Sequence, residues 1–441
     1  MEQNTLRGVV EQVLQSEADK MVEAVSEFVR GLGQGGAAKG AEEQFRGRVL
    51  TLGAALMTRA LEASDANLRA ELRRRGHLTR QGEPCSGSLA SKGMKTVEAT
   101  TLLGDVRAKQ WTCRCKKCGQ DLGTVDEILE LVGGLSAACA SAVTLAGVMS
   151  PFEKAADAVG QMTGVKVDDN RVQRTVALVA PRAKERMNAP LTEADLPPEG
   201  TRVHVLVDGG RIRMRGKGSP WREPCTAMLI WKDAAGKLVR RAVSDPLDKK
   251  PVLAVMDEWM KLLAPGRRRE VLVIADGAEW IWSWADKYPW AFCILDYYHL
   301  KEHVWAAAKV LFGEGSALAA AWVERIKDRL WQGWVPSTIA ILEKMEIAAP
   351  NVDEKREAVD DLATYLRNHK GLIKYQTHRD EGRTIGSGWV ESFCKQLFSM
   401  RMKGPGMFWS EDGARDLMTL RTLYLTGRWE DLWSTPQRKA S

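Results

Sequence analysis

The sequence predicts an α/β protein, in which a β-sheet is preceded and followed by helices. The first observation is a set of five short apolar runs between residues 203 and 295, which is the pattern of strands buried on both faces. The second is the spacing of Val252, Val255, Met256 and Trp259, which predicts a helix between the third and fourth runs. The chain of 441 residues is 44% apolar and 27% charged, as is ordinary for folded domains.

Residues 1–76 are predicted to be helical. Five apolar side chains recur at three-, four- and seven-residue steps, so that a helix would place them on one face: Val10, Leu14, Met21, Val25 and Phe28. The glycine-rich stretch 31–36 is expected to end this helix, and a second helix is expected to follow.

The formal net charge is +7, from 64 Lys and Arg against 57 Asp and Glu. The basic residues are concentrated in two segments, 69–80 and 202–222. Such clusters are typical of proteins that bind a polyanion, although any single cluster is more often a solvated surface. No run of eighteen apolar residues is present, and the N-terminus lacks a basic start followed by an apolar core. We therefore expect neither a membrane span nor a secretion signal.

Residues 77–124 are predicted to form a small zinc-ribbon-like module. The eight cysteines are too few for a disulfide framework in so long a chain. Cys115 and Cys118 have the C-x-x-C spacing of a zinc knuckle. A complete site needs four ligands, and Cys85 and Cys113 are the candidates for the other two. The usual second C-x-x-C pair is absent, so the alternative is a set of thiols that bind no metal.

Residues 125–196 are predicted to be helical and to include a helix-turn-helix-like region that binds DNA. A glycine-containing turn separates two helices in this segment. Arg171, Gln173 and Arg174 would lie in the first turns of the second helix, where such side chains reach base edges. The alternative is a helical hairpin without a role in DNA binding.

Residues 197–301 are predicted to hold the first part of the sheet. The strands are expected at 203–208, 225–231, 237–243, 271–275 and 291–295. Three strands, a helix, a strand, a helix and a strand is the order of a ribonuclease H-like core. We therefore predict this core, with its first and fourth strands side by side.

Three acidic residues stand where a divalent-metal site would need them. Asp208 ends the first strand, Asp276 follows the fourth, and Glu391 begins a later helical pattern. Carboxylate oxygens suit hard cations such as Mg²⁺ or Mn²⁺, and two such ions about 3.5–4 Å apart can promote phosphoryl transfer. Taken singly, Asp208 and Asp276 are better explained as Asp-Gly turns after strands; the catalytic interpretation rests on all three together.

The rest of the chain is predicted to be an all-α insertion at 302–380 and a core helix followed by basic helices at 381–441. Arg401 and Lys403 follow the helix that carries Glu391. Basic side chains there would contact DNA phosphates, which supplies affinity without sequence information.

These residues resemble bacterial insertion-sequence transposases of the Kra type, within the Mutator-like DDE superfamily. The resemblance is densest in the segments 276–282 (DGAEWIW), 294–299 (ILDYYH) and 386–391 (GSGWVE). The motif Asp296-x-x-His299 begins 20 residues after Asp276, which is about where the superfamily places a D-x-x-H or C-x-x-H motif after its second acid.

The resemblance implies a transposase that cuts and joins DNA strands at the ends of an insertion sequence with Mg²⁺ or Mn²⁺. It implies a catalytic triad of Asp208, Asp276 and Glu391. We expect Asp296 and His299 to support this triad; the alternatives are that Asp296 only caps the helix that starts at Tyr297 and that His299 binds a metal together with His303. It also implies an upstream zinc ribbon, from which one cysteine of the first pair is missing here. The expected partners are double-stranded DNA and at least one further copy of the chain, in the bacterial cytoplasm at the nucleoid.

Two other functions fit parts of the sequence. A domesticated DNA-binding regulator would have no catalytic activity, and the intact acidic triad disfavours it. A ribonuclease H-like nuclease would cut DNA without joining it, and the helical insertion and N-terminal modules favour transposition instead.

Overall fold

The computed structural model describes residues 3–32, 38–79, 84–192, 195–216, 220–264 and 269–433. The chain divides into two compact units, one up to Pro181 and one from Arg182 onward. This boundary falls within a single helix, Asp169–Asn188. The finer six-part division expected from the sequence stays a prediction.

The first unit begins with long helices, continues with small antiparallel sheets and ends with helices. Its elements are α1 (Gln3–Leu32), α2 (Ala38–Ala63), α3 (Asp65–Arg75), β1 (His77–Leu78), β2 (Pro84–Cys85), β3 (Leu89–Thr101), β4 (Gly104–Cys115), β5 (Asp121–Gly123), α4 (Thr124–Ile128), α5 (Ala137–Met149), α6 (Phe152–Thr163) and α7 (Asp169–Asn188).

The core of the first unit lies between helices and a three-stranded antiparallel sheet of β3, β4 and β5. Leu61 of α2 packs in one apolar cluster with Val106 of β4. Leu72 of α3 packs in a second cluster with Trp111 and Leu122. Helices α2 and α3 are therefore attached to this sheet by apolar contacts.

Helix α1 buries only part of the face that its apolar spacing predicted, since Met21 and Phe28 are half-buried and the other three residues are exposed. Val10 and Leu14 are exposed, whereas Val13 and Ala24 are buried, and the helix packs on α2. Small apolar residues occur on adjoining stripes of this helix, so the periodicity alone could not select the buried stripe.

The predicted helix-turn-helix-like region consists of α5, α6 and α7. Helix α6 ends at Gly164, which has a positive φ of 79°, and the Asp168 carboxylate caps α7 by accepting a hydrogen bond of 2.6 Å from the Arg171 amide. A Cβ atom at Gly147 of α5 would lie 2.7 Å from Val172, so the absence of a side chain there permits the close approach of α7.

The second unit contains a mixed sheet with helices. Its elements after α7 are β6 (Arg202–Gly209), β7 (Ile212–Arg213), β8 (Trp221–Arg222), β9 (Cys225–Lys232), β10 (Leu238–Asp245), α8 (Lys249–Leu263), β11 (Glu270–Ala275), α9 (Glu279–Ala285), β12 (Phe292–Leu295), α10 (Tyr297–Phe312), α11 (Ala317–Trp331), α12 (Val335–Glu343), α13 (Val352–His369), α14 (Tyr375–Asp380), α15 (Gly388–Cys394), a π-helical turn (Lys395–Ser399), α16 (Met400–Met402) and α17 (Glu411–Leu425). Short 3₁₀ turns occupy Lys370–Leu372 and Trp429–Leu432.

The five strands of the main sheet lie in the order β10-β9-β6-β11-β12. Strands β10, β9 and β6 are antiparallel neighbours, whereas β6, β11 and β12 run parallel. The five predicted strands are confirmed to within two residues at each end, and so is the pairing of the strand that ends in Asp208 with the strand before Asp276. The sheet therefore brings the ends of β6 and β11 side by side.

A half-buried ion-pair network fixes the segment that leads into α15. Glu270, at the start of β11, accepts from Arg202 and Arg383 at 2.5 Å each, and the Arg202 guanidinium also donates to the Glu381 carbonyl at 3.1 Å. The two guanidinium groups hold the pKa of Glu270 below its usual range, against the effect of burial. Glu270 thus ties the segment 381–387 to the sheet.

Candidate functional site

Asp208 and Asp276 lie at neighbouring strand ends and line one cavity. Asp208 is near the end of β6, and Asp276 directly follows β11, its parallel neighbour. Both line a cavity of about 990 Å³, which we call the carboxylate cleft. Ligands of open α/β sheets bind at this position, outside the carboxyl ends of parallel strands.

The two carboxylates interact electrostatically. Burial raises the pKa of Asp208 above its usual range, and the charge of Asp276 raises it further. The opposing effects come from the Gly209 amide, which donates to Asp208 at 2.7 Å, and from the Cys394 thiol and His299. Two neighbouring carboxylates, both half-buried, form a site in which a bound cation would relieve repulsion.

Basic and aromatic side chains surround the two acids. Arg211, Arg222 and Lys249 line the cleft, and the Lys249 ammonium lies 4.9 Å from the centre of the Trp280 ring. The sequence had indicated the two arginines as candidate contacts with a polyanion, because both belong to the basic segment 202–222. Nothing in the sequence singled out Lys249, which lies at the start of α8. The lining also contains two further acids, Asp248 and Glu223, and the Glu223 carboxylate lies 3.5 Å from the Arg211 guanidinium.

Glu391 lies in the first turn of α15 and is exposed. The same helix buries Val390, Phe393 and Cys394 and packs on β6 and β9. The Cys394 side chain hydrogen-bonds to Asp208. Burial and the charge of Asp208 raise the pKa of this thiol well above its usual range, so the thiol is the donor.

The structure brings two of the three predicted carboxylates into one cleft. Glu391 is not among the residues that line it. Among the described residues, Asp208, Asp276 and Glu391 do not form a group whose ligand atoms lie within 4.8 Å of one another.

Asp296 joins the start of α10 to the segment before α15. One carboxylate oxygen caps α10 by accepting from the amides of Tyr298 and His299 at 2.6 and 2.9 Å. The other oxygen accepts from the Ser387 amide. Asp296 is 1% exposed, so it acts from within the core and holds the start of the Glu391 helix. His299 is half-buried, with its Nδ1 3.5 Å from Glu302.

The helical region α10–α14 packs against the loop that carries Asp276. His369 Nε2 lies 3.1 Å from the Gly277 carbonyl oxygen, and its Nδ1 lies 2.7 Å from the Tyr365 carbonyl oxygen. Tyr365 is stacked on His303, with 3.9 Å between ring centres. A Cβ atom at Gly277 would lie 2.5 Å from the Tyr365 ring, so only glycine fits there without displacement.

The expected DNA contacts have different surroundings. Arg401, expected at the DNA backbone, is instead buried at 3% exposure, with its guanidinium 5.3 Å from the Trp409 ring centre. Burial lowers the pKa of Arg401 to about 10. Lys403 is exposed, and its ammonium lies 5.3 Å from the centre of the Phe398 ring. The expectation rested only on the place of Arg401 after the Glu391 helix, whereas the structure puts it in the short helix α16, directly after the π-helical turn.

In α7, Gln173 and Arg174 are exposed. The Arg171 guanidinium instead donates to the Gly133 carbonyl oxygen at 3.2 Å. The Arg171 side chain therefore binds the chain's own backbone, although its place at the start of α7 had suggested a contact with DNA bases.

A second candidate site lies in the first unit. Four residues could hold a metal ion such as zinc, because their ligand atoms all lie within 4.8 Å of one another: His77, Cys85, Cys115 and Cys118. We call this set the His/Cys cluster. No other group of this kind occurs within the described parts of the chain.

Cys113 is not in the His/Cys cluster, which corrects the predicted ligand set. Its side chain is fully buried in the apolar cluster with Leu72, Trp111 and Leu122, and burial raises the pKa of its thiol to about 11. His77 takes the fourth position. The prediction from the sequence considered only cysteines as ligands and therefore did not include His77. The signal for His77 in the sequence was its place eight residues before Cys85.

None of the helices in the described segments is both long and apolar enough to cross a membrane.

Comparisons with known proteins add one similarity. No curated protein matches the chain. Residues 237–433, which include Asp276, Asp296 and Glu391 but not Asp208, match the model of an uncharacterised protein family, UPF0236.

Proposed function

We propose that this protein is a DNA transposase of the DDE class, similar to the Kra-type enzymes, which cuts and joins DNA strands with Mg²⁺ or Mn²⁺. The observation that carries the proposal is the pairing of Asp208 and Asp276 at adjacent strand ends, in one cleft with basic side chains. Its partners would be double-stranded DNA and a further copy of the chain on paired DNA ends.

The strand arrangement supports a ribonuclease H-like core. Three antiparallel strands are followed by two parallel ones, and the strands lie in the order β10-β9-β6-β11-β12. This is the arrangement that the sequence led us to expect of that fold. In this arrangement β6 and β11, the first and fourth strands in chain order, are neighbours in the sheet. Asp208 lies near the end of β6, and Asp276 directly follows β11.

The position of Glu391 is compatible with a third ligand. Cys394 lies three residues after Glu391 on α15, and residues at this spacing are neighbours on a helix surface, with about 5–6 Å between their Cβ atoms. Since Cys394 already contacts Asp208, a small rotation or shift of α15 would turn the Glu391 carboxylate toward the cleft. A cation held by Asp208 and Asp276 would attract the Glu391 carboxylate, whereas carboxylates alone repel each other.

In the proposed site Asp208, Asp276 and Glu391 would together hold the divalent cations. Bound there, the cations would activate an oxygen nucleophile and stabilise the departing oxygen in phosphoryl transfer. The protein's own contribution is mainly positioning: Asp296 and Glu270 fix the segment before α15, and the helical region fixes the Asp276 loop. Arg211, Arg222 and Lys249 would hold the DNA phosphates.

The test is a strand-joining assay with the full-length protein, Mn²⁺ and DNA from the few hundred base pairs on either side of the gene. We expect Asp208→Asn to reduce joined products by at least about 100-fold, since residues that merely support metal ligands account for about 10–100-fold. The control is Asp361→Asn, which removes the same charge from an exposed position on α13. Joining that persists in the Asp208 variant would falsify the catalytic assignment.

The same assay separates the two competing functions. A nuclease would give cut DNA without joined products. A DNA-binding regulator would give neither, and the exposed position of Glu391 outside the cleft is the observation that favours it. Binding without cleavage by the wild-type protein, with Mg²⁺ and with Mn²⁺, would support the regulator.

A further inference from the structure

We propose that the His/Cys cluster binds one zinc ion through one imidazole and three thiolates, and that this ion attaches β1 and β2 to the β4–β5 hairpin. The site is separate from the carboxylate cleft, so this inference does not depend on the proposed function. It assigns the fourth ligand to His77, not to Cys113.

The distances within the cluster fit a tetrahedral ion. Zinc–sulfur bonds of about 2.3 Å at tetrahedral angles separate two sulfur atoms by about 3.8 Å. The Sγ atoms of Cys85 and Cys115 lie 3.7 Å apart. His77 Nε2 lies 3.1 Å from Cys118 Sγ, somewhat closer than the roughly 3.6 Å expected around zinc. A small outward movement of this pair would complete the coordination.

The backbone presents the four ligands in two pairs. His77 and Cys85 are directly opposite each other in the β1–β2 ladder. Cys115 and Cys118 occupy a tight turn that closes with a 2.9 Å bond from the Gly119 amide to the Cys115 carbonyl oxygen, with Gly119 at a φ of 73°. A hairpin that faces a cysteine turn is the common layout of small structural zinc sites.

Glycines give the two pairs room to approach. A Cβ atom at Gly87 would lie 2.5 Å from Cys115 Sγ, and one at Gly76 would lie 2.5 Å from the Cys85 carbonyl oxygen. Gly76 also has a φ of 67°, which favours glycine. A side chain at position 87 would clash with the Cys115 sulfur, and one at position 76 would clash with the backbone of Cys85. Glycine at both positions therefore lets the two pairs of ligands come together.

The attachment has a structural consequence for α3. This helix ends at Arg75, two residues before His77, and its last turn carries three arginines. The Arg73 guanidinium lies 5.2 Å from the Trp111 ring centre. An ion held by His77 on one side and by Cys115, which follows Trp111 on β4, on the other would fix the direction of this basic helix end against the sheet.

The first test measures zinc per chain in the full-length protein after purification without chelators. We expect one zinc ion per chain in the wild type and well below half of that in His77→Ala and Cys118→Ser. Cys113→Ser is the matched control: the same change at a neighbouring cysteine should leave the zinc content at one. Loss of zinc in Cys113→Ser together with its retention in His77→Ala would overturn the assignment.

A second variant guards against simple misfolding. His77→Cys keeps a ligand at the position, so zinc should be retained if His77 binds the ion. With cobalt in place of zinc, the thiolate-to-metal absorption should then rise by about one third, from three thiolates to four. Unchanged absorption in this variant, or a wild-type protein that takes up no zinc or cobalt after reduction, would exclude His77 as a ligand.

Discussion

The His/Cys cluster and the carboxylate cleft differ in how fully the chain assembles them. The four ligands of the cluster lie within 4.8 Å of one another and come from the paired strands β1 and β2 and from the turn that begins at Cys115. The predicted triad spans residues 208 to 391, and only Asp208 and Asp276 share the cleft. One site is built from segments that are close together in the chain, whereas the other depends on a sheet and a distant helix.

The chemistry of the ligands explains part of this difference. Neutral thiols and an imidazole pack together without repulsion, so the fold can place them close before an ion binds. Carboxylates repel each other, and the raised pKa of Asp208 reflects both its burial and the charge of Asp276. A carboxylate site therefore requires its cation, or rigid supports, to draw the last ligand in.

The supports of the Asp276 loop give the prediction with the largest expected effect. Gly277→Ala would place a methyl group 2.5 Å from the Tyr365 ring, and overpacking of this kind costs about 1–3 kcal/mol. We expect the free energy of unfolding in urea to fall by this amount and strand joining to fall with it. Gly371→Ala is the control, since nothing lies within 4 Å of a Cβ atom there. Equal stability of the two variants would show that the helical region does not constrain the loop.

The basic side chains of the cleft give a smaller effect. Lys249→Ala should weaken DNA binding by a similar factor for all sequences and should reduce the slope of log affinity against log salt by about one. Lys261→Ala is the control on the same helix, because that side chain is exposed and paired with Glu258. If the Lys249 variant keeps the salt dependence of the wild type, Lys249 does not contact DNA phosphates in the proposed complex.

The sheet was predictable from the sequence because its strands are buried runs with clear ends. The adjacency of Asp208 and Asp276 followed from the parallel pairing of β6 and β11. The position of Glu391 did not follow, because periodicity gives the buried stripe of α15 but not its rotation relative to the cleft. The burial of Arg401 was not predictable either, because a basic residue after the Glu391 helix was expected at the surface, and nothing in the sequence indicated the π-helical turn Lys395–Ser399 before it.

The His/Cys cluster shows the complementary case. The C-x-x-C spacing of Cys115 and Cys118 indicated a knuckle, and the structure places both in the cluster. The choice between Cys113 and His77 depends on the pairing of β1 with β2. These strands are two residues long, and so short a pair leaves no periodic signal.

The most direct test of the carboxylate site is electron paramagnetic resonance of the full-length protein with Mn²⁺. If the site holds two ions at the spacing of about 3.5–4 Å used in phosphoryl transfer, the wild type should give the signal of an exchange-coupled manganese pair, and Asp208→Asn should lose it. Isolated, uncoupled Mn²⁺ in the wild-type protein, both without and with DNA, would contradict a two-ion site built from Asp208, Asp276 and Glu391.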